Sequence, residues 1–170
     1  MRKLAALARA CEAVVDACGL VTAWSSFAIV LVMAFNVLLR YAFNTGSVAM
    51  QELEWHLMAP IALLGMSYAI LKDGHIRVDV VFGRMPPRYR ETVDAVSHLL
   101  VLTVAVIMVL LAVPYVEQSF VIGEKSPDPG GLTHRFLLKS LIPLGFALLG
   151  IQALAAALRA MLKLSGPHAD

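Results

Sequence analysis

Charge is scarce in this sequence. Asp, Glu, Lys and Arg make up 15% of its 170 residues, against about 25% in an ordinary soluble domain. So few charged groups cannot cover a water-facing surface of this size. The net charge is +2, and no basic stripe with interleaved aromatics occurs, which argues against nucleic acid as a partner. Cysteine is scarce too. Cys11 and Cys18 are the only two. On one helix they stand about 10 Å apart along the axis, too far for a disulfide, and two cysteines alone make no zinc site. Their ordinary role is small apolar filler. The sequence has no G-x-x-x-x-G-K-[ST], no H-E-x-x-H and no G-x-S-x-G. That removes P-loop nucleotide hydrolysis, the common zinc protease helix and the serine nucleophile elbow. No catalytic residue, cofactor site or metal site is expected, and the chain does not read as an enzyme.

Long apolar runs, by contrast, are plentiful. The chain is 59% hydrophobic, with a mean hydropathy of +0.77. The apolar residues form four blocks, about 17–39, 53–71, 93–116 and 136–158, each near the roughly 20 residues a membrane helix needs. The expected fold is an all-α integral membrane protein: one domain over 1–170 with four transmembrane helices and short amphipathic surface helices. Pro60, Pro114 and Pro143 fall inside blocks, where neighbouring helices can satisfy the freed carbonyls. Arg2, Lys3 and Arg9 precede the first span. Lys72, Arg77, Arg84, Arg88 and Arg90 lie between the second and third, and Arg159 and Lys163 follow the core of the fourth. The opposite side holds only Arg40, Lys125, Arg135 and Lys139. Ten cations against four place both termini in the cytoplasm.

Two shorter pieces are amphipathic. Leu4, Leu7, Cys11 and Val15 follow one helical stripe, as expected of a helix lying on the inner membrane surface. In residues 72–90, Val78, Val81, Phe82 and Met85 make an i, i+3, i+4, i+7 face. That predicts a second surface helix closed by Gly83 and Pro86–Pro87, with Pro87 opening the third span. Gly65 with Ala69, and Ala153 with Ala157, give small-xxx-small faces for close helix contact.

The stretch QELEWHLMAP, residues 51–60, puts acidic groups at the mouth of an apolar run. Glu52 and Glu54 open the second span on the side where Arg40 closes the first. An ion pair between Arg40 and one glutamate, or contact with a partner chain, explains them, and Trp55 suits an interfacial belt. On a helix the two carboxylates diverge by about 200°, which does not favour an acid–base pair. His56 and His98 would be candidates for a haem held between facing helices. Their expected depths differ by on the order of 15 Å, which argues against a shared iron. His75, Arg77 and Asp79 alternate with apolar residues, as a solvated face or as an anchor to a neighbouring subunit. With no repeated halves and no broken midplane helix, the residues point to a small accessory or scaffold subunit of a membrane complex. A haem- or quinone-linked anchor of a redox enzyme, and a stand-alone channel or carrier, are the alternatives.

The order of RYAFN (40–44), QELEWHL (51–57), LLGMSYAI (63–70), DGHIRVDVV (73–81), PDPGGL (127–132) and LLKSLIPLGFALLGIQAL (137–154) resembles the small membrane subunit of TRAP (tripartite ATP-independent periplasmic) transporters, the DctQ-like family. The likeness runs over nearly the whole chain. Many relatives show two adjacent glutamates followed three residues later by arginine; here those positions are Gln51, Glu52 and Trp55. Pro60 and the PDPGGL loop look like the branch labelled for mannitol or chloroaromatic compounds. The resemblance implies a multi-pass protein of the bacterial inner membrane without a cofactor of its own. Its partners would be a large membrane subunit, a periplasmic solute-binding protein and the bilayer. The large subunit would carry the solute, an organic acid or similar, with sodium, while this chain braces it. Glu52 and Glu54 would then fix the outer end of the second span. The outer loop, through Glu124, Lys125 and Asp128, is expected to help dock the binding protein.

Overall fold

The computed structural model describes residues 2–72, 74 and 84–165. They form α1 (Arg2–Phe43), α2 (Val48–Leu71), α3 (Pro87–Val121) and α4 (Arg135–Ser165). Each is long and apolar enough to cross a bilayer, and the chain is an all-α, multi-pass integral membrane protein. Local chemistry sets the helix limits. Asn44 ends α1 in the left-handed region at φ +50°, which asparagine tolerates better than most residues. Ser47 caps α2, its hydroxyl accepting from the Met50 N–H at 3.4 Å. Pro87 opens α3, where its missing N–H is harmless.

The helices run well past the expected spans. α1 has 42 residues and is about 63 Å long, twice the roughly 30 Å hydrocarbon thickness. The N-terminal stripe expected to form a separate surface helix is instead the first turns of α1. Val15 on it is buried and Leu7 is half-exposed, and Ala8, outside the expected stripe, is buried as well. Two links hold this extension to the bundle. Lys72, just past α2, donates to Asp16 at 2.7 Å, and Arg159 on α4 donates to Glu12. The Asp16 carboxylate raises the Lys72 ammonium above its ordinary value, chiefly through that hydrogen bond. Both members of the Lys72–Asp16 pair are more than half exposed, so the pair orients the chain more than it stabilises it. The second surface helix, expected within residues 72–90, and with it His75, Arg77 and Asp79, falls on 75–83, outside the described residues.

α4 is the centre of the bundle, packing against α1, α2 and α3. In its most apolar stretch 44% of residues are buried, against 6–11% in the other helices. Small residues allow this. Ala153 and Ala157, marked in the sequence as a close-contact face, are buried along with Ala155 and Ala160. Gly145 brings α4 onto α2: a Cβ there would lie 2.7 Å from Leu63 Cβ and 2.8 Å from the Leu63 carbonyl oxygen. The hydroxyls of Thr22, Ser26, Ser67 and Thr103 each donate to a carbonyl three or four residues earlier. These polar groups are thus satisfied within their own helices, as a bilayer requires.

Gly145→Leu is expected to push α4 off α2 and cost about 1–3 kcal/mol. Gly46→Ala, with nothing within 4 Å of the added carbon, is the control. Thermal unfolding of the two variants in mild detergent checks the difference; equal midpoints would contradict the packing described.

Candidate functional site

At the end of the bundle opposite the termini, the α1–α2 turn meets the loop between α3 and α4. Glu52, in the second turn of α2, reaches that loop. The Ser126 hydroxyl donates to Glu52 Oε1, and the Leu132 backbone N–H donates to Oε2 at 2.5 Å. The loop is closed around this carboxylate. Ser126 N–H donates to Leu132 O at 3.1 Å, and Gly131 N–H to Asp128 O at 3.0 Å. A side chain on Gly131 would collide with Ser126 Oγ at 2.5 Å and crowd Glu52 Oε2 at 2.8 Å, so glycine is what lets the backbone come this near.

Glu54 has a different partner. Its Oε1 accepts from Asn36 Nδ2 at 3.0 Å, which ties α2 to α1. The two glutamates have separate partners within the chain, and these partners differ from the expected Arg40. Arg40 makes no ion pair among the described residues; Asn36 and the α3–α4 loop take the roles assigned to it. Arg40 instead lines a cleft of about 490 Å³ together with Glu52, Glu54, Trp55, His56 and Arg135, walled by Met33, Val37 and Leu138. Trp55 itself is 77% exposed, as an interfacial side chain should be.

A third link closes α3 against α4. Glu124 accepts from the Ser119 hydroxyl at 2.6 Å and from Lys139 Nζ. The Lys139 ammonium also sits 4.1 Å from the centre of the Tyr115 ring. Lys139 first, then Ser119, holds the Glu124 carboxyl below its ordinary pKa of 4.5. Glu124 is therefore occupied within the chain. Of the three loop residues expected to meet a partner, Lys125 and Asp128 are the exposed ones.

The histidines lie at opposite ends. His56 lines the cleft at the loop end, with Nδ1 2.7 Å from the Glu52 carbonyl oxygen. His98 lines a cavity beside Gln152 and Arg159 near the termini, with Nδ1 2.6 Å from the Asp94 carbonyl oxygen. In each, a ring N–H donates to its own helix. Among the described residues no group of three His, Cys, Asp or Glu could hold a metal.

Four lipid-crossing helices joined by polar junctions at their ends define a small multi-pass membrane protein whose polar residues hold structure. Residues 29–163 match the family described as tripartite ATP-independent periplasmic transporters, DctQ component, and the chain belongs to that family of non-catalytic transporter components. It is 29% identical over 79 residues to a Haemophilus influenzae protein described as a TRAP transporter small permease protein, covering 46% of this chain and 49% of that one. It is 28% identical over 124 residues to the ectoine TRAP transporter small permease protein TeaB of Halomonas elongata, covering 73% and 63%. The chain thus spans between about half and just under two thirds of the length of the curated relatives it matches.

Sequence reasoning missed Asn36, Ser119, Ser126, Lys139 and the Leu132 N–H as partners of the carboxylates. Asn36 carried a signal, an amide inside an apolar run that needs a partner. The loop partners carried none, because Ser126 and Leu132 lie 74 and 80 residues from Glu52.

Glu52→Ala leaves the Ser126 hydroxyl and Leu132 N–H without their acceptor. The expected result is faster proteolysis of the loop with the four helices intact; unchanged cleavage would contradict the junction. Because the folded Glu124 carboxyl titrates below 4.5, its contribution is complete above that pH. It declines as the pH falls further and is gone below the depressed folded value. Glu124→Gln is expected to remove this acid-sensitive component from loop protection measured across the same range.

Proposed function

We propose that this chain is the small permease subunit of a TRAP secondary transporter and serves as a stationary brace for the large membrane subunit. The family match across residues 29–163 is the observation that carries this reading. The geometry supports it: the bundle is tied at both ends, by Glu52, Glu54 and Glu124 near the loops and by Asp16–Lys72 and Glu12–Arg159 near the termini. Such ties suit a part that stays still while another moves. The chain sits in the bacterial inner membrane with both termini in the cytoplasm, following its Lys and Arg distribution. Uptake is sodium-coupled through the large subunit, and a periplasmic binding protein delivers an organic acid or similar solute. Pro60 and the PDPGGL loop favour the branch labelled for mannitol or chloroaromatic compounds, and the solute is selected by the other subunits. Lys125 and Asp128 contact the binding protein, while Arg40, Trp55, His75, Arg77 and Asp79 contact the large subunit.

Copurification in mild detergent tests this directly: a large multi-span protein should come with the chain, and the chain alone should move no solute in liposomes. Arg40→Ala is expected to lower assembly or uptake without altering which solute is taken up. Accumulation of a solute by this chain unaided, or an altered solute preference in the variant, would contradict the proposal.

A further inference from the structure

α1 turns one face to the bundle and the opposite face away from it. Val15 is buried, Gly19 lies against the Tyr68 ring, Thr22 lies against Gly65, and Asn36 donates to Glu54. These residues mark the inward face. About half a turn round the helix, Leu20, Trp24, Phe27, Leu31 and Leu38 are each 53–64% exposed. Their spacing of four, three, four and seven residues keeps them in one stripe. The stripe is about 27 Å long, close to the roughly 30 Å hydrocarbon thickness.

α3 supplies the contrast. It packs chiefly on α4, and its outward Leu100, Val104, Ile107 and Leu111 are aliphatic. Between Tyr89 and Tyr115 it has no Trp, Tyr or Phe. Aromatics at the two ends with aliphatics between them is the pattern of a helix that faces lipid. The α1 stripe inverts that pattern. Asp16 and Arg40 stand at the polar ends of the span, and Trp24 and Phe27 lie about 12 and 17 Å along the helix from Asp16, well inside it. The two rings meet edge to face with centroids 6.0 Å apart. The Trp24 indole N–H has no acceptor among the described residues. Lipid tails offer none, whereas a neighbouring helix can present a hydroxyl or carbonyl oxygen. Aromatic rings gathered near the centre of a face are the usual anchors of a protein interface. We propose that the Trp24–Phe27 face of α1 docks a helix of the large membrane subunit within the bilayer, with an oxygen of that helix accepting from the Trp24 indole, while the aliphatic face of α3 meets lipid. This rests on the reading of the chain as a small permease subunit and adds the face by which it binds.

Photocrosslinking in membranes that hold the full chain and its large subunit tests the face. Benzoylphenylalanine replaces Leu31 on α1 or Ile107 on α3. The α1 probe is expected to crosslink to the large subunit and the α3 probe to lipid alone. Crosslinks to the large subunit from α3 but not from α1 would overturn the proposal. So would α1 crosslinks that join two copies of this chain, or α1 adducts with lipid alone. Substitution gives a second readout. Trp24→Leu with Phe27→Leu keeps the stripe apolar, so a stripe that only faces lipid tolerates the change. The expected result is about tenfold less large subunit retained on the chain in mild detergent, with helix content unchanged. Leu100→Ala with Val104→Ala on α3 is expected to leave retention as it was. Equal retention by the two double variants would overturn the proposal. A complex that forms but ignores the α1 changes removes this face alone and leaves the permease-subunit reading standing. If the unsubstituted chain retains no large subunit, that reading fails and this proposal fails with it.

Discussion

The packing of α4 is the constraint on which the rest of the structure depends. Between lipid-embedded helices apolar contact gives little net drive, since a lipid tail is as apolar as a leucine, and association rests on close approach and polar links. α4 meets the first requirement through Gly145, Gly150, Ala153 and Ala157, which let three neighbouring helices come close. α1, α2 and α3 bury few residues and turn most of their surface outward. Their positions therefore follow from α4 and from the ties at the two ends.

Those ties differ in strength. The exposed Asp16–Lys72 pair contributes little by itself, because solvent screens it. The Glu124 junction is less exposed, with side-chain accessibilities of 17% and 24% for Lys139 and Glu124, and it joins an ammonium, a hydroxyl and a carboxylate. Charge-assisted bonds of this kind are roughly twice as strong as neutral ones. The loop end is accordingly the firmer of the two. A bundle centred on one helix and closed at its loops has little freedom to rock, which accords with bracing another subunit.

The fold was largely legible because its main signals are local. Four apolar blocks, Pro87 as a helix opener and the Ala153–Ala157 face could be read from neighbouring residues. The continuity of α1 was harder to see. The stripe through Leu4, Leu7, Cys11 and Val15 fits a helix on a membrane surface as well as one that packs on α4, and periodicity alone does not separate them. At the candidate site, Glu52 and Glu54 stood out as acids beside an apolar run. Their partners did not: electrostatics pointed to Arg40, the cation nearest in sequence on the same side, whereas folding brought Asn36 and a distant loop to them. Glu124 shows the same effect. As a charged loop residue it suggested an outward contact, yet Lys139 and Ser119 engage it within the chain.

A covalent clamp across the bundle tests the stationary role most directly. A Cβ on Gly150 lies 3.4 Å from Ala105 Cβ, close to the spacing of a disulfide. With Cys11 and Cys18 replaced by serine, Ala105→Cys and Gly150→Cys can join α3 to α4 on oxidation. Uptake by the reconstituted complex should be the same with the bridge formed or reduced. Transport that stops on oxidation and returns on reduction would show that these helices move against each other during the cycle, contradicting a bundle that only braces.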